Sequence, residues 1–369
     1  MTVRLLRLGI RPEVAGDTIA FALPGPGQVV VEVNGIHHAL HLFVNPPEDD
    51  APDPGAPGVR YFGPGVHRPG RITLRSGETA YIAGGAVVHG VIHAADAENV
   101  RVRGRGILDA STIKRKQERN ILWFDRCRDV SVSGIVLRDP HVWAAKPTRC
   151  DGVRFDNVKL VGCWRYNSDG FDFVDCRDVR VAHCFVRSFD DSIVLKSFHG
   201  REIRDVLVER CVVWTDWGVS LGITYETRTD RIRDVVFRDC DILHNIACRG
   251  ALTINPSDRA EISDVTFEDI RVEDARSGLI ELVVERTRYG KDPRRGHIRG
   301  VRFRDIAVTG GPFTRSILRG FDEDHLVRDV AIEGLSIHGR PIASPAAGRF
   351  RIGPHAKDIR FAAEPDSRE

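Results

Sequence analysis

DVRVAHCFV at residues 178–186 and DVLVERCVV at residues 205–213 are two copies of one unit, and the unit decides the fold. The same pattern reads DVSVSGIVL from Asp129, GVRFDNVKL from Gly152, DVVFRDCDI from Asp234, DVTFEDIRV from Asp264, GVRFRDIAV from Gly300 and DVAIEGLSI from Asp329. The first valines of successive copies, from Val130 to Val330, are 23, 26, 27, 29, 30, 36 and 29 residues apart. A period of this size built on short strands signals a solenoid. Val-x-Val and Val-x-Phe alternate with period two, so one face of each strand turns inward. Aligning the copies gives a column of Ile135, Val158, Cys184, Cys211, Cys240, Ile270, Ile306 and Leu335, every member apolar. The fold expected is all-β: a right-handed parallel β-helix of about ten coils, with a small N-terminal antiparallel β cap.

The column also accounts for cysteines. The chain has eight and no CxxC pair, which argues against a zinc or redox motif. Cys184, Cys211 and Cys240 are read as small core hydrophobes. Cys127 and Cys176, each before Arg-Asp-Val, are read as a second ladder.

Residues 1–45 differ from the repeats. VRLLRLGI, TIAFAL, GQVVVEVNG and HHALHLFVN read as short strands between Pro and Gly turns, the cap or a reduced β-sandwich. Residues 46–58 are a Pro/Asp-rich linker, residues 59–345 the helix itself, and residues 346–369 the last strands and a charged tail. A net charge of +2, from 54 basic and 52 acidic residues, argues against nucleic acid as a partner. No long apolar run or leader-like start is present, so no membrane partner is expected. The location expected is cytoplasmic for the chain as it stands, or secreted if a leader has been removed. The oligomeric state is left open.

Chemistry enters with acids on neighbouring rungs. SDGFDFV from Ser168 is stacked over DDSIVLK from Asp190, then over WGVSLGI from Trp217 and RGALTIN from Arg249. This sets Asp169 beside Asp191, and Asp190 between Ser168 and Trp217. Like charges a strand spacing apart raise at least one pKa, which yields an acid and a base near neutrality. Glycoside hydrolysis needs such a pair. Asp129, Asp178, Asp205 and Asp234 are instead read as structural turn residues. Further candidates for substrate contact are Asn167, Lys196, His141, Trp143, Tyr225, Glu226, Arg249 and Glu281, with His199, Glu285, Arg286 and Arg288 nearby. No metal site and no cofactor are expected.

These residues resemble a known group, the polygalacturonase-like β-helix glycosidases of glycoside hydrolase families 28 and 49. NSDGFDF resembles the family's Asn-Thr-Asp-Gly segment, and DDSIVLKS its Asp-Asp-Cys-Ile-Ala-Ile-Lys-Ser segment. PHVW at 140–143 resembles a Pro-x-Trp stretch one coil earlier, and YFGPGVH with ITLRSGETAYIAGGAVVHG resembles the entry coils. The resemblance covers roughly residues 60–340. It implies Asp190 as general acid, with Asp169 and Asp191 holding the attacking water, and inversion at the anomeric carbon. Two departures bear on substrate. Trp217 stands where the family has the His of Gly-His-Gly, and the stretch from Arg249 to Ile254 lacks the Lys of Arg-Ile-Lys. An aromatic face suits a neutral sugar, whereas a buried uronate needs a paired cation. The expectation is therefore an inverting hydrolase of a neutral α-linked oligo- or polysaccharide. The alternatives are a polygalacturonase or pectin-type hydrolase, a calcium-dependent polysaccharide lyase, and a non-catalytic carbohydrate-binding solenoid.

Overall fold

Each repeat turns on corners that favour a short polar side chain or glycine. In the computed structural model, which describes residues 1–118, 120–246 and 248–364, Asp129, Asp178, Asp205, Asp234, Asp264 and Asp329 take φ between 50° and 58°. Asp visits this left-handed region more readily than most L residues. The two copies without Asp place Gly152 (φ 68°) and Gly300 (φ 60°) there. A second such corner precedes the inward column: Asn157, His183, Arg210, Asp239, Asp269 and Asp305 have φ of 49–54°. The polar pair of the repeat is thus the bend between two strands.

Stacking is parallel and in register. Val130, Val153, Val179, Val206, Val235, Val265, Val301 and Val330 pair in succession. Two further ladders complete each coil. One runs through Val136–Arg138, Lys159–Val161, Phe185–Ser188 and Val212–Thr215. The other runs through Leu122–Asp125, Ala145–Thr148, Phe171–Val174, Ile193–Ser197, Leu221–Thr227, Leu252–Pro256 and Ile280–Val283. From Arg231–Asn245 onward, the first two strands of a coil fuse into one long strand, as in Glu261–Val272 and His297–Val308. Phe350–Ile352 and Ala356–Ala362 add further parallel pairings near the C-terminus. The result is a right-handed parallel β-helix, the hand that parallel crossover connections almost always take.

The core is the inside of this coil. Every residue of the column from Ile135 to Leu335 is at most 1% exposed. Phe237, Phe267 and Phe303 stack face to face at 4.9 and 5.0 Å. Cys150 joins Cys127 and Cys176, the Cys127 N–H lying 3.4 Å from the Cys150 sulfur. All eight cysteines are free, seven buried and Cys248 exposed. A thiol reagent applied to the native protein is expected to modify Cys248 and no other, with eight modified after denaturation. More than one fast-reacting thiol, counted by mass spectrometry, would contradict this packing.

Residues Met1–Ala51 form one compact unit and Pro52–Glu369 another. In the first, Thr2–Arg4 and Ala39–Val44 flank Gly27–Glu32 in an antiparallel sheet, and Glu13–Ala15 pairs with Thr18–Ala20. Val3, Val29 and Val31 form its core. VRLLRLGI is a strand only as far as Arg4. Leu6–Leu8 is a 3-10 turn closed by Gly9 at φ 60°. Among the described residues no helix is long and apolar enough to cross a membrane.

Candidate active site

The ladder from Ala145–Thr148 to Ile280–Val283 carries the acids. Phe171, Phe173, Ile193 and Leu195 point into the core and are fully buried. Asp172 and Lys196 occupy alternate positions and face the other way. Asp169 and Asp191 precede the two strands on adjacent rungs, with Gly170 N–H donating to Asp191 O at 2.7 Å.

The register beyond them differs from the expected one by a residue. Ile193 pairs with Leu221, and Leu221 with Leu252. Gly218, not Trp217, therefore closes against the acids. A Cβ at Gly218 would lie 2.4 Å from Asp191 N and 2.7 Å from Asp190 Oδ1, so only glycine permits the approach. Thr215 secures this turn, its hydroxyl donating to Asp190 O at 2.6 Å and accepting from Gly218 N–H at 3.1 Å. Trp217 is displaced outward, 51% exposed, and lies parallel to Phe189 at 6.4 Å.

Lys196 holds the acids together. Its ammonium lies 3.3 Å from Asp169, 2.8 Å from Asp172 and 3.0 Å from Asp191, and all four side chains are buried. The three carboxylates offer oxygens within 4.8 Å of one another, a spacing that would suit a metal ion. The Lys196 ammonium is the cation that this cluster presents to them. Burial pushes Asp169 well above the usual carboxylate range, opposed by Lys196 and reinforced by Asp172. Burial likewise pushes Asp172 up to about 7. Asp191 is the best solvated by hydrogen bonds: it accepts from Val219 N–H at 3.0 Å and Thr224 Oγ1 at 3.2 Å. Asp169 Oδ1 accepts no hydrogen bond from the protein.

Asp190 has no ion pair with Lys196 and is half-buried. Its carboxyl is pushed up to about 6, chiefly by burial and then by the neighbouring Asp191 charge, opposed first by the Lys196 charge and then by hydrogen bonds from Asp191 N–H and Asn167. Asn167 is itself held by Arg115, whose Nη2 donates to Oδ1 at 2.9 Å. The site thus offers a carboxyl poised to give a proton, beside a buried group of carboxylates that can take one.

The other expected residues divide. Trp143 stacks on Phe198 at 6.0 Å, with Lys196 4.2 Å and Lys146 4.8 Å from its ring centre. Glu226 is half-buried near Lys196, its carboxyl raised by burial. Arg249 is engaged on three sides: it ion-pairs with Glu281, lies 3.0 Å from Glu285, and donates to Tyr225 OH at 2.8 Å. His141 does not line the surface. It is fully buried, neither ring nitrogen has a partner, and burial pulls it down to about 4, so it is neutral at physiological pH. His199 is exposed, and its N–H donates to Asp175 at 3.0 Å. Asp175 also accepts from Ser197 Oγ, Phe198 N–H and Arg201 N–H at 2.6, 3.0 and 3.2 Å, which sets the loop that carries Phe198. Asp172 and Asp175 were not singled out from sequence. The signal for Asp172 is its parity, an acid between inward Phe171 and Phe173.

Residues 72–344 match the profile of the glycosyl hydrolases family 28. Among curated proteins the chain is similar to an endo-polygalacturonase of Pectobacterium carotovorum subsp. carotovorum, 21% identical over 156 residues. That match covers 36% of this chain and spans 38% of the relative's length. Among solved structures it is similar to an exopolygalacturonase from Thermotoga maritima (TM-score 0.62, 18% identity, 82% of this chain and 83% of the other). It is also similar to Dex49A from Penicillium minioluteum (TM-score 0.70, 16% identity, 97% and 78%). At these identities the structural likeness bears on the parallel β-helix alone.

Proposed function

Because this chain belongs to family 28 of the glycosyl hydrolases, we propose that it hydrolyses an α-linked, uronate-bearing glycan of the pectin class with inversion at the anomeric carbon. The observation that carries the mechanism is the division of the acids, Asp190 standing apart from the three carboxylates gathered on Lys196. Asp190 donates its proton to the glycosidic oxygen as the bond to the anomeric carbon breaks. A water held by Asp169 and Asp191 attacks the opposite face of that carbon and yields its proton to one of them. One displacement leaves two hydroxyl products and an inverted anomer. Lys196 fixes the base side in place, and its positive charge opposes the upward push of burial on Asp169.

The substrate class follows the family and the curated relative's name, endo-polygalacturonase. The neutral-glycan expectation rested on the missing Lys and on Trp217 lying against the acids, and the second position is taken by Gly218. A neutral substrate keeps one specific argument: Arg249 already engages Glu281 and Glu285, leaving its charge satisfied. Release of reducing ends from polygalacturonate, its methyl ester and neutral α-glucans separates the two readings. Polygalacturonate is expected to be cleaved and the neutral polymers left intact. Trp217→Ala is then expected to change KM by less than about threefold, a rim contact worth under 1 kcal/mol. Cleavage of a neutral glucan, with a KM that Trp217→Ala raises steeply, would restore the neutral reading.

A further inference from the structure

Past Glu285 the chain builds a concave site. A pocket of about 360 Å³ is lined by Arg286, Arg294, Arg295, Phe321, Asp322 and His325, among others. That volume falls in the range of small-ligand pockets, roughly 300–1,000 Å³. Its charge balance is unusual. Arg295 is only 8% exposed. Its Nη2 donates to the backbone oxygen of Asp292 at 2.5 Å, while its buried Nη1 has no hydrogen-bond partner among the described residues. Arg286 adds a second like charge nearby.

The surrounding carboxylates are already committed. Asp258 accepts from the N–H groups of Thr227, Lys291 and Asp292. Asp292 lies 2.6 Å from Arg259 and 3.5 Å from Arg294. Asp322 lies 2.6 Å from His325. A guanidinium stays charged in proteins, and a buried donor left unsatisfied is costly. An anion entering this pocket would offset the like charges of Arg286 and Arg295. The planar fork of Arg matches a carboxylate in particular. Phe321, 45% exposed, adds an apolar face of the kind that packs on sugar C–H groups.

The pocket follows in chain on the Ile280–Val283 strand, which stacks in the ladder that carries the acids. Glu285, next to Arg286, lies 3.0 Å from Arg249. The Ile280–Val283 strand stands three rungs beyond Ile193–Ser197, about 14 Å at the spacing of neighbouring strands.

We propose that this pocket is a distal substrate subsite, in which Arg286 and Arg295 bind the carboxylate of one uronate unit while its ring lies against Phe321. The inference rests on the pectin-class reading above and names where that substrate is gripped away from the acids. The test is steady-state kinetics on polygalacturonate and on a series of oligogalacturonates. Variants are Arg295→Gln, Arg286→Gln and Phe321→Ala, the last two at exposed positions where folding is not at stake. Each Arg variant is expected to raise KM on the polymer about tenfold, the worth of one charge-assisted hydrogen bond, with kcat changed less than about twofold. The penalty is expected to vanish on oligomers too short to reach the pocket. Wild-type turnover of polygalacturonate with KM unchanged in both exposed variants would overturn the subsite and leave the proposed function standing. Absence of any polygalacturonate turnover by the wild type would overturn both.

Discussion

Asp190→Asn is expected to reduce kcat on a natural glycan by about 10²–10⁴-fold, the usual contribution of a general acid, with the fold intact. The amide fills the same space and keeps the Asp191 N–H interaction, now 3.1 Å from Asp190 Oδ1. What it loses is the proton. The loss should be much smaller on an aryl glycoside whose leaving group departs without protonation, and that contrast isolates the acid role from a positional one. The pH profile gives a second reading. Burial raises Asp190 to about 6, so the acid form dominates below that pH and is lost above it. Wild-type kcat/KM is therefore expected to fall as pH rises through about 6, and Asp190→Asn should lack that limb. Near-normal turnover by the variant on the natural glycan, or an unchanged descending limb, would remove Asp190 from the role.

Lys196→Met is expected to cost about 3–5 kcal/mol of stability at neutral pH, the price of leaving a buried charge cluster unpaired. Met has similar length and needs no partner, but it leaves Asp169, Asp172 and Asp191 facing one another without a cation. Without Lys196 the Asp169 and Asp172 carboxyls rise further, since Lys196 is the lowering influence on both. A carboxyl whose folded pKa is raised stabilises the fold below its unfolded pKa and loses that contribution as pH climbs to the folded value. The variant's deficit should thus shrink toward pH 4 and widen toward pH 8. Urea denaturation across that range measures it. A variant as stable as the parent at pH 8 would show that the ammonium is dispensable to the cluster. Activity should fall as well, because Asp169 and Asp191 would lose the ammonium that fixes them.

The polygalacturonase-like resemblance and the repeat both lie within reach of the bare chain, for a local reason. Period-two alternation reports which face of a strand is inward, and left-handed corners report through Asp, Asn and Gly. Val130 to Val330 therefore align from letters alone, and the Cys184, Cys211 and Cys240 column follows with them. The adjacency of Asp169 and Asp191 is legible for the same reason, since their strands follow at once on equivalent residues.

Register one coil further turns on the loop before Leu221, which carries one residue more than an alignment of Trp217 with Asp190 allows. A one-residue slip in a strand exchanges its faces, so Ser220 was set against inward Ile193. Leu221 and Ile223, both fully buried, were the apolar positions that should have decided it. Partnership is beyond any local pattern. Lys196 reads as an outward residue, yet only the fold brings three carboxylates from two coils onto its ammonium. His141 reads as a loop residue, yet neighbouring coils bury it. Arg286 and Arg295 read as two more charges in an arginine-rich chain, until the loops of adjacent coils enclose one and spend the nearby carboxylates elsewhere. The chain's own letters determine the solenoid and the rungs that bear the acids, because those depend on each residue's immediate neighbours. Protonation, charge pairing and the arginine-lined pocket were decided by tertiary structure, because burial and Coulomb energy are set by whatever distant segments arrive within a few ångströms.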